Sequence, residues 1–282
     1  MIEKRTVWVD WCTARVVRAL RDRGVRPLLL KGPAVATWLY AENPRVRAYT
    51  DVDLLVSPTE RAAAEAVLTE LGYAPPPRSW LRDEPPHAIT WVRSADGSAV
   101  DLHRTIHGCE HVDEAVVWDV VSTAADMIEV AGVEVQAPSV EVRALHVALH
   151  AIPGWGDHVF ADLERAVAIV DPSVWERAAD AARRLGVDDE LGFRLGLVPG
   201  GAALAGSLGL STAEPRRASA LTFAMTLPGW RARSRYLLQK VFPPPAYLRA
   251  VGDVGPGRLA LARGYARRVL LAVRGRRRNS RR

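Results

Sequence analysis

Cysteine is scarce in this sequence: its 282 residues include two, Cys12 and Cys109, in unrelated contexts without metal-ligand spacing. That argues against a disulfide scaffold and a thiolate metal site, and a reducing compartment is the simplest setting. Long apolar runs are also missing. The least polar stretch, LGLVPGGAALAGSLGL, is interrupted by Pro199, Gly200 and Gly201, which makes it a poor membrane span. The opening MIEKRTVWVDWCTARVVRAL reads as a charged amphipathic helix and not as a signal peptide. No transmembrane segment is expected, and the expected location is the cytoplasm. Lysine is rare too: Lys31 is one of three among 38 basic residues. A compact point charge in an arginine-rich background suits a phosphate ligand, with a plain surface lysine as the other reading.

Hydrophobic residues make up 49% of the chain, ample for one large domain or two ordinary ones. The net charge of +6 is a property of one end. Ten arginines and no acids lie between Arg258 and Arg282, so the remainder holds 28 bases against 32 acids. RLALARGYARRVLLAVRGRRRNSRR reads as a basic amphipathic helix with a frayed end, suited to RNA or an anionic surface, or as a merely solvated terminus.

Along the chain, a helix is expected to about Arg23, stopping at Gly24, followed by a short buried strand in VRPLLL. Lys31 and Gly32 come directly after it, and PAVATWLYA opens a short helix on Pro33. YTDVDLLV reads as a strand. Ser57 and Glu60 form a capping-box pattern for a helix reaching Gly72. PPPRSWLRDEPP is a loop, and HAITWVR and SAVDLHRTI form a hairpin through SADG. DMIEVAG and VEVQAPS finish the strands. From Val140 the spacing turns helical, with Asp171 and Pro172 marking one clear start. The reading is α+β: a strand-bearing module over residues 1–137, then a helical domain over 138–282 carrying the arginine-rich tail.

Asp51 and Asp53 stand two residues apart, on one face of an extended strand, with Val52 and Leu54 directed to a core. Like charges held side by side repel, so a divalent cation between them is the natural compensation. Asp101, on the second hairpin strand, can join them on one sheet face. Three oxygen donors with open positions suit Mg²⁺, with Mn²⁺ as the alternative. Gly32 after a buried strand permits close approach of a phosphate.

The succession LLLKGPAVATWLY, PRVRAYTDVDLLV and AVDLHRTI, from Leu28 to Ile106, resembles the DNA polymerase β-like nucleotidyltransferase superfamily. It is most similar to the uncharacterised bacterial group with an LKG turn and a DxDLLV strand. The resemblance implies a module with a mixed β-sheet followed by an α-helical C-terminal domain. It implies that Asp51 and Asp53 hold the metal on a nucleoside triphosphate such as ATP. Asp101 would complete a second metal position and help activate an acceptor hydroxyl, while Gly32 would lie against the phosphates. The implied reaction is attack on the α-phosphorus with loss of pyrophosphate. Arg47, four residues before Asp51, matches the group's pattern and suits bidentate phosphate binding. The chain departs from the superfamily's usual Gly-Gly or Gly-Ser turn in having Pro33, which lacks an amide proton; Lys31 is the candidate to compensate.

Other residues carry two readings each. His103 shares a face with Asp101 and either contacts substrate or makes a structural hydrogen bond. His146 and His150, four apart on a helix, resemble a metal pair but lack a third ligand, and they suit the lining of a cleft. Arg45 reads as a solvated loop residue, Asp162 as a helix carboxylate or interdomain partner, and Trp155 and Trp175 as core. The functional reading is a nucleotidyltransferase acting on a hydroxyl of a small molecule, protein or RNA. The alternatives are a degenerate nucleotide-binding or scaffold protein and a toxin-like tRNA nucleotidyltransferase.

Overall fold

A stripe of Val9, Cys12, Thr13, Val16 and Leu20, spaced at three and four residues, buries one face of the first helix, α1 (Ile2–Asp22). The helix stops at Gly24, whose φ of 75° lets the Val25 amide reach back to the Leu20 carbonyl at 3.0 Å. A computed structural model describes residues 2–75, 87–152 and 157–213, together with 230, 234, 257 and 259–266. Residues 1–77 and 86–215 make one compact unit; 78–85 and 216–282 make another, of which residues 259–266 are helical.

In the first unit the chain continues through β1 (Leu28–Leu29), α2 (Pro33–Leu39), β2 (Val52–Leu55), α3 (Arg61–Glu70), β3 (Tyr73–Ala74), β4 (Ala88–Arg93) and β5 (Ser98–His103). The described strands form a sheet in the order β1-β2-β5-β4-β3. β2 and β5 run parallel and the other pairs antiparallel, so the sheet is mixed, as expected. α4 (Glu114–Ser122) leads to a separate hairpin of β6 (Asp126–Val130) and β7 (Val133–Ala137).

The period of two along each strand divides the apolar residues between two cores. Val52, Leu54, Val100 and Leu102 join α1, α3 and the β6–β7 hairpin, while Leu28, Leu55 and Ile106 join the helical half. That half is α5 (Val140–His150), α6 (Asp157–Ile169), α7 (Pro172–Leu185), α8 (Asp188–Leu195) and α9 (Gly201–Ser207). α5 is central, buried continuously from Val142 to Leu149 and packed by α6, α7 and α8. Buried arginines tie the parts together: the Arg143 guanidinium donates to the carbonyls of Pro138 at 2.9 Å and Ala34 at 3.1 Å. Trp175 is fully buried, as expected. α7 starts where Asp171 accepts from the Ser173 amide at 2.8 Å, with Pro172 in the first turn.

One local expectation needs correction. The proposed Ser57–Glu60 capping box does not form: α3 begins at Arg61, Ser57 Oγ lies 2.8 Å from Thr59 Oγ1, and Glu60 accepts from the Arg26 amide at 2.9 Å. A nearby guanidinium and amide outcompete the helix end for that carboxylate. α4 was not among the expected elements; its segment EAVVWDVVS is rich in valines, which favour strands. The cap by Asp113, which accepts from the Ala115 amide at 2.9 Å, and burial of Val117, Val120 and Val121 override that preference. Among the described residues no helix is long and apolar enough to cross a membrane. Pro76–Pro86, Trp155 and the arginines from Arg267 onward lie outside the described residues.

Candidate active site

The parallel pairing of β2 with β5 sets Asp53 opposite Asp101 and Leu55 opposite His103. Asp53, Asp101 and His103 therefore share the face turned to the helical half, and each offers a ligand atom within 4.8 Å of the others. β1 delivers the next component. The Leu30 amide donates to the Asp53 carbonyl at 3.0 Å, and the following residue, Lys31, places Nζ 2.7 Å from Asp53 Oδ1. His103 Nε2 lies 2.9 Å from the same oxygen.

These contacts polarise the cluster. Burial alone would raise the pKa of Asp53, but the Lys31 ammonium and His103 overcome it and hold the carboxyl well below its usual range. Asp51, one residue before β2, is pushed up to about 6 by burial and by the charges of Asp53 and Asp101. It lies outside the 4.8 Å group yet is electrostatically coupled to it. Asp101 Oδ1 and His103 Nδ1 are buried and find no hydrogen-bond partner among the described residues. A buried carboxylate oxygen left in that state is costly unless a ligand completes it.

Gly32 has φ 57° and ψ −118°, a conformation only glycine adopts readily, and a Cβ there would sit 3.3 Å from the Tyr49 ring. Pro33 begins α2 in the first-turn position, as expected. Arg47 is engaged by a protein carboxylate: its Nε donates to both Asp162 oxygens, at 3.0 and 2.9 Å, and Nη2 lies 2.7 Å from Oδ2. The Tyr40 hydroxyl also donates to Asp162, at 2.9 Å. Of its two readings, Asp162 thus takes that of a partner joining the strand-bearing half to α6. Arg45 is exposed, on a short 3-10 helix over Pro44–Val46 where a loop was expected.

His146 and His150 line a cleft with Lys31, Arg47 and Asp162. Their rings are 6.0 Å apart. Burial and the Lys31 charge depress both, His150 to about 3, so both are neutral at pH 7. Among the described residues they join no three-ligand group.

Sequence reasoning passed over His87, His107 and Glu110. His87 precedes β4, and its ring centroid lies 5.5 Å from that of His103 and 5.6 Å from that of His107. His107 Nδ1 is 3.1 Å from Glu110 Oε1. Burial, with the neighbouring histidines, lowers His87 to about 4. The one sequence signal was the HGCE run, His107 to Glu110, just after a strand bearing a candidate ligand.

The family described as "Uncharacterised nucleotidyltransferase" matches residues 1–199. No curated protein matches the chain. Among solved structures, the solution structure of the antibiotic-resistance factor ANT(2'')-Ia is 18% identical with a TM-score of 0.43, covering 60% of this chain and 88% of that one. The crystal structure of ANT(2'')-Ia in complex with adenylyl-2''-tobramycin is 16% identical with a TM-score of 0.44, covering 62% and 97%.

Proposed function

The chain belongs to the uncharacterised nucleotidyltransferase family, and from that premise we propose that it transfers a nucleoside monophosphate from a nucleoside triphosphate to a hydroxyl of a separate acceptor. The observation that carries the reading is the register of β2 on β5, which sets Asp53 beside Asp101 with a buried, unpartnered Asp101 oxygen. Asp51, Asp53 and Asp101 fit a divalent cation, Mg²⁺ or Mn²⁺, because they are hard oxygen donors whose mutual repulsion a cation relieves. Such a cation supplies charge neutralisation at the phosphates and the attacking oxygen.

The protein's own groups do the rest. Lys31, 2.7 Å from Asp53, provides a fixed positive charge where the phosphates enter. Gly32 lets the backbone approach them, and Arg47, oriented by Asp162, lines the same cleft as Lys31. The acceptor hydroxyl loses its proton to Asp101 as its oxygen bonds to the α-phosphorus, and the bond from that phosphorus to pyrophosphate breaks. His103 holds Asp53 in place and neighbours the acceptor position. The acceptor class spans small molecules, proteins and RNA. The ten terminal arginines favour RNA or an anionic surface, and buried Cys12 and Cys109, both free thiols, suit a cytoplasmic setting.

A second reading, nucleotide binding without turnover, is favoured by Lys31 and His103 both occupying Asp53 Oδ1 and by Pro33 in the glycine turn. One experiment separates the two. The protein is incubated with each α-labelled nucleoside triphosphate and Mg²⁺ or Mn²⁺ in a cell lysate, and label is traced. Transfer to a lysate component, absent with Asp53→Asn, supports the enzyme. Triphosphate binding without transfer supports the second reading, and no binding at all refutes both.

A further inference from the structure

We propose that His87, His107 and Glu110 form a second metal site, separate from the carboxylate site and selective for a transition-metal cation such as Zn²⁺. One ligand atom from each lies within 4.8 Å of the others. Tetrahedral coordination at about 2.0–2.1 Å places ligand atoms about 3.3 Å apart. His107 Nδ1 and Glu110 Oε1 are already 3.1 Å apart.

The backbone holds the three residues in place. The His87 carbonyl accepts from the Arg104 amide at 2.9 Å and the Thr105 amide at 3.4 Å, which pins residue 87 to the end of β5. Beyond that strand the chain turns tightly: the Cys109 amide reaches the Ile106 carbonyl at 3.1 Å, the Val112 amide reaches the Cys109 carbonyl at 3.0 Å, and Thr105 Oγ1 donates to the Cys109 carbonyl at 3.2 Å. His107 and Glu110, three residues apart on this turn, project to the same side and meet. The rings of His87 and His107 stand edge to face, at 84°.

The donor chemistry separates this site from its neighbour. Two imidazoles and one carboxylate suit Zn²⁺, Co²⁺ or Ni²⁺, whereas Mg²⁺ prefers an all-oxygen shell. Three protein ligands leave a fourth position open to water or an incoming donor. All three residues are partly exposed, while His107 Nδ1 itself is buried. The His87 ring is the link between the two sites, 5.5 Å from the His103 ring that contacts Asp53.

The test uses the full-length protein stripped with EDTA and titrated with Co²⁺, followed by visible absorption, then with Zn²⁺ in competition. Wild type is expected to bind a first equivalent of Zn²⁺ that excess Mg²⁺ does not displace. His87→Ala, His107→Ala and Glu110→Gln should each weaken binding by about 10-fold or more. Glu110→Gln nearly preserves shape, so it decides the matter if either histidine variant fails to fold by circular dichroism. Unchanged Zn²⁺ affinity in Glu110→Gln, displacement of that equivalent by excess Mg²⁺, or no Zn²⁺ binding by wild type would overturn the assignment. No outcome depends on nucleotide transfer.

Discussion

Replacing Asp51 by Asn should stabilise the cation-free protein at neutral pH. The carboxyl is held at about 6 in the folded chain against an ordinary value of 3.8, by burial and by repulsion from Asp53 and Asp101. At 1.36 kcal/mol per pH unit the shift corresponds to about 3 kcal/mol, and solvent screening of this partly buried group trims the expected gain to about 1–3 kcal/mol. Because the folded pKa is raised, the folded state holds the proton more tightly than the unfolded chain. The penalty is absent below pH 3.8, grows as pH rises to about 6, and is complete above that. His87 and His150, lowered to about 4 and about 3, act in the opposite sense by costing stability as pH falls. The informative quantity is therefore the difference between variant and wild type, in which those terms cancel. Thermal unfolding in EDTA from pH 4 to pH 8 measures it. The gain should be present at pH 8 and vanish near pH 4. An Asn variant no more stable than wild type at pH 8, or equally stabilised at both ends, would refute the reasoning.

Other substitutions test the remaining contacts. Lys31→Met leaves the buried Asp53 charge with His103 as its one neutralising neighbour on Oδ1 and should cost about 3–5 kcal/mol in urea unfolding at pH 7; a loss below about 1 kcal/mol would show that the pair is not buried in solution. Asp101→Asn should keep triphosphate binding by calorimetry yet lose transfer by ~10²-fold or more, the pattern of a group needed chiefly in the transition state. Asp162→Asn should bring the Tyr40 hydroxyl down from about 12, read by ultraviolet titration, because burial would remain while the carboxylate's repulsion is removed. An unmoved titration would place Asp162 away from Tyr40.

Much of the local structure was legible because its causes are short-range. The alternation in YTDVDLLV placed Asp53 on the face opposite Val52 and Leu54, Gly24 ended α1, and Asp171 with Pro172 opened α7. Each depends on side-chain direction or a few neighbouring backbone groups, which the chain order alone determines. The candidate carboxylates were found in the same way, from their spacing. What pairs with what was settled by tertiary structure. Nothing within YTDVDLLV required β2 to lie parallel to β5 with Asp53 opposite Asp101, since register follows from burying both faces of the sheet at once. Burial likewise made a helix of the valine-rich α4 and drew Glu60 to Arg26 instead of a helix cap. Lys31 on Asp53, Arg47 on Asp162, and His87 on the turn of His107 and Glu110 join residues 22, 115 and 20 or more positions apart. Such encounters depend on loop closure and on which apolar faces meet, quantities that no local window of sequence contains.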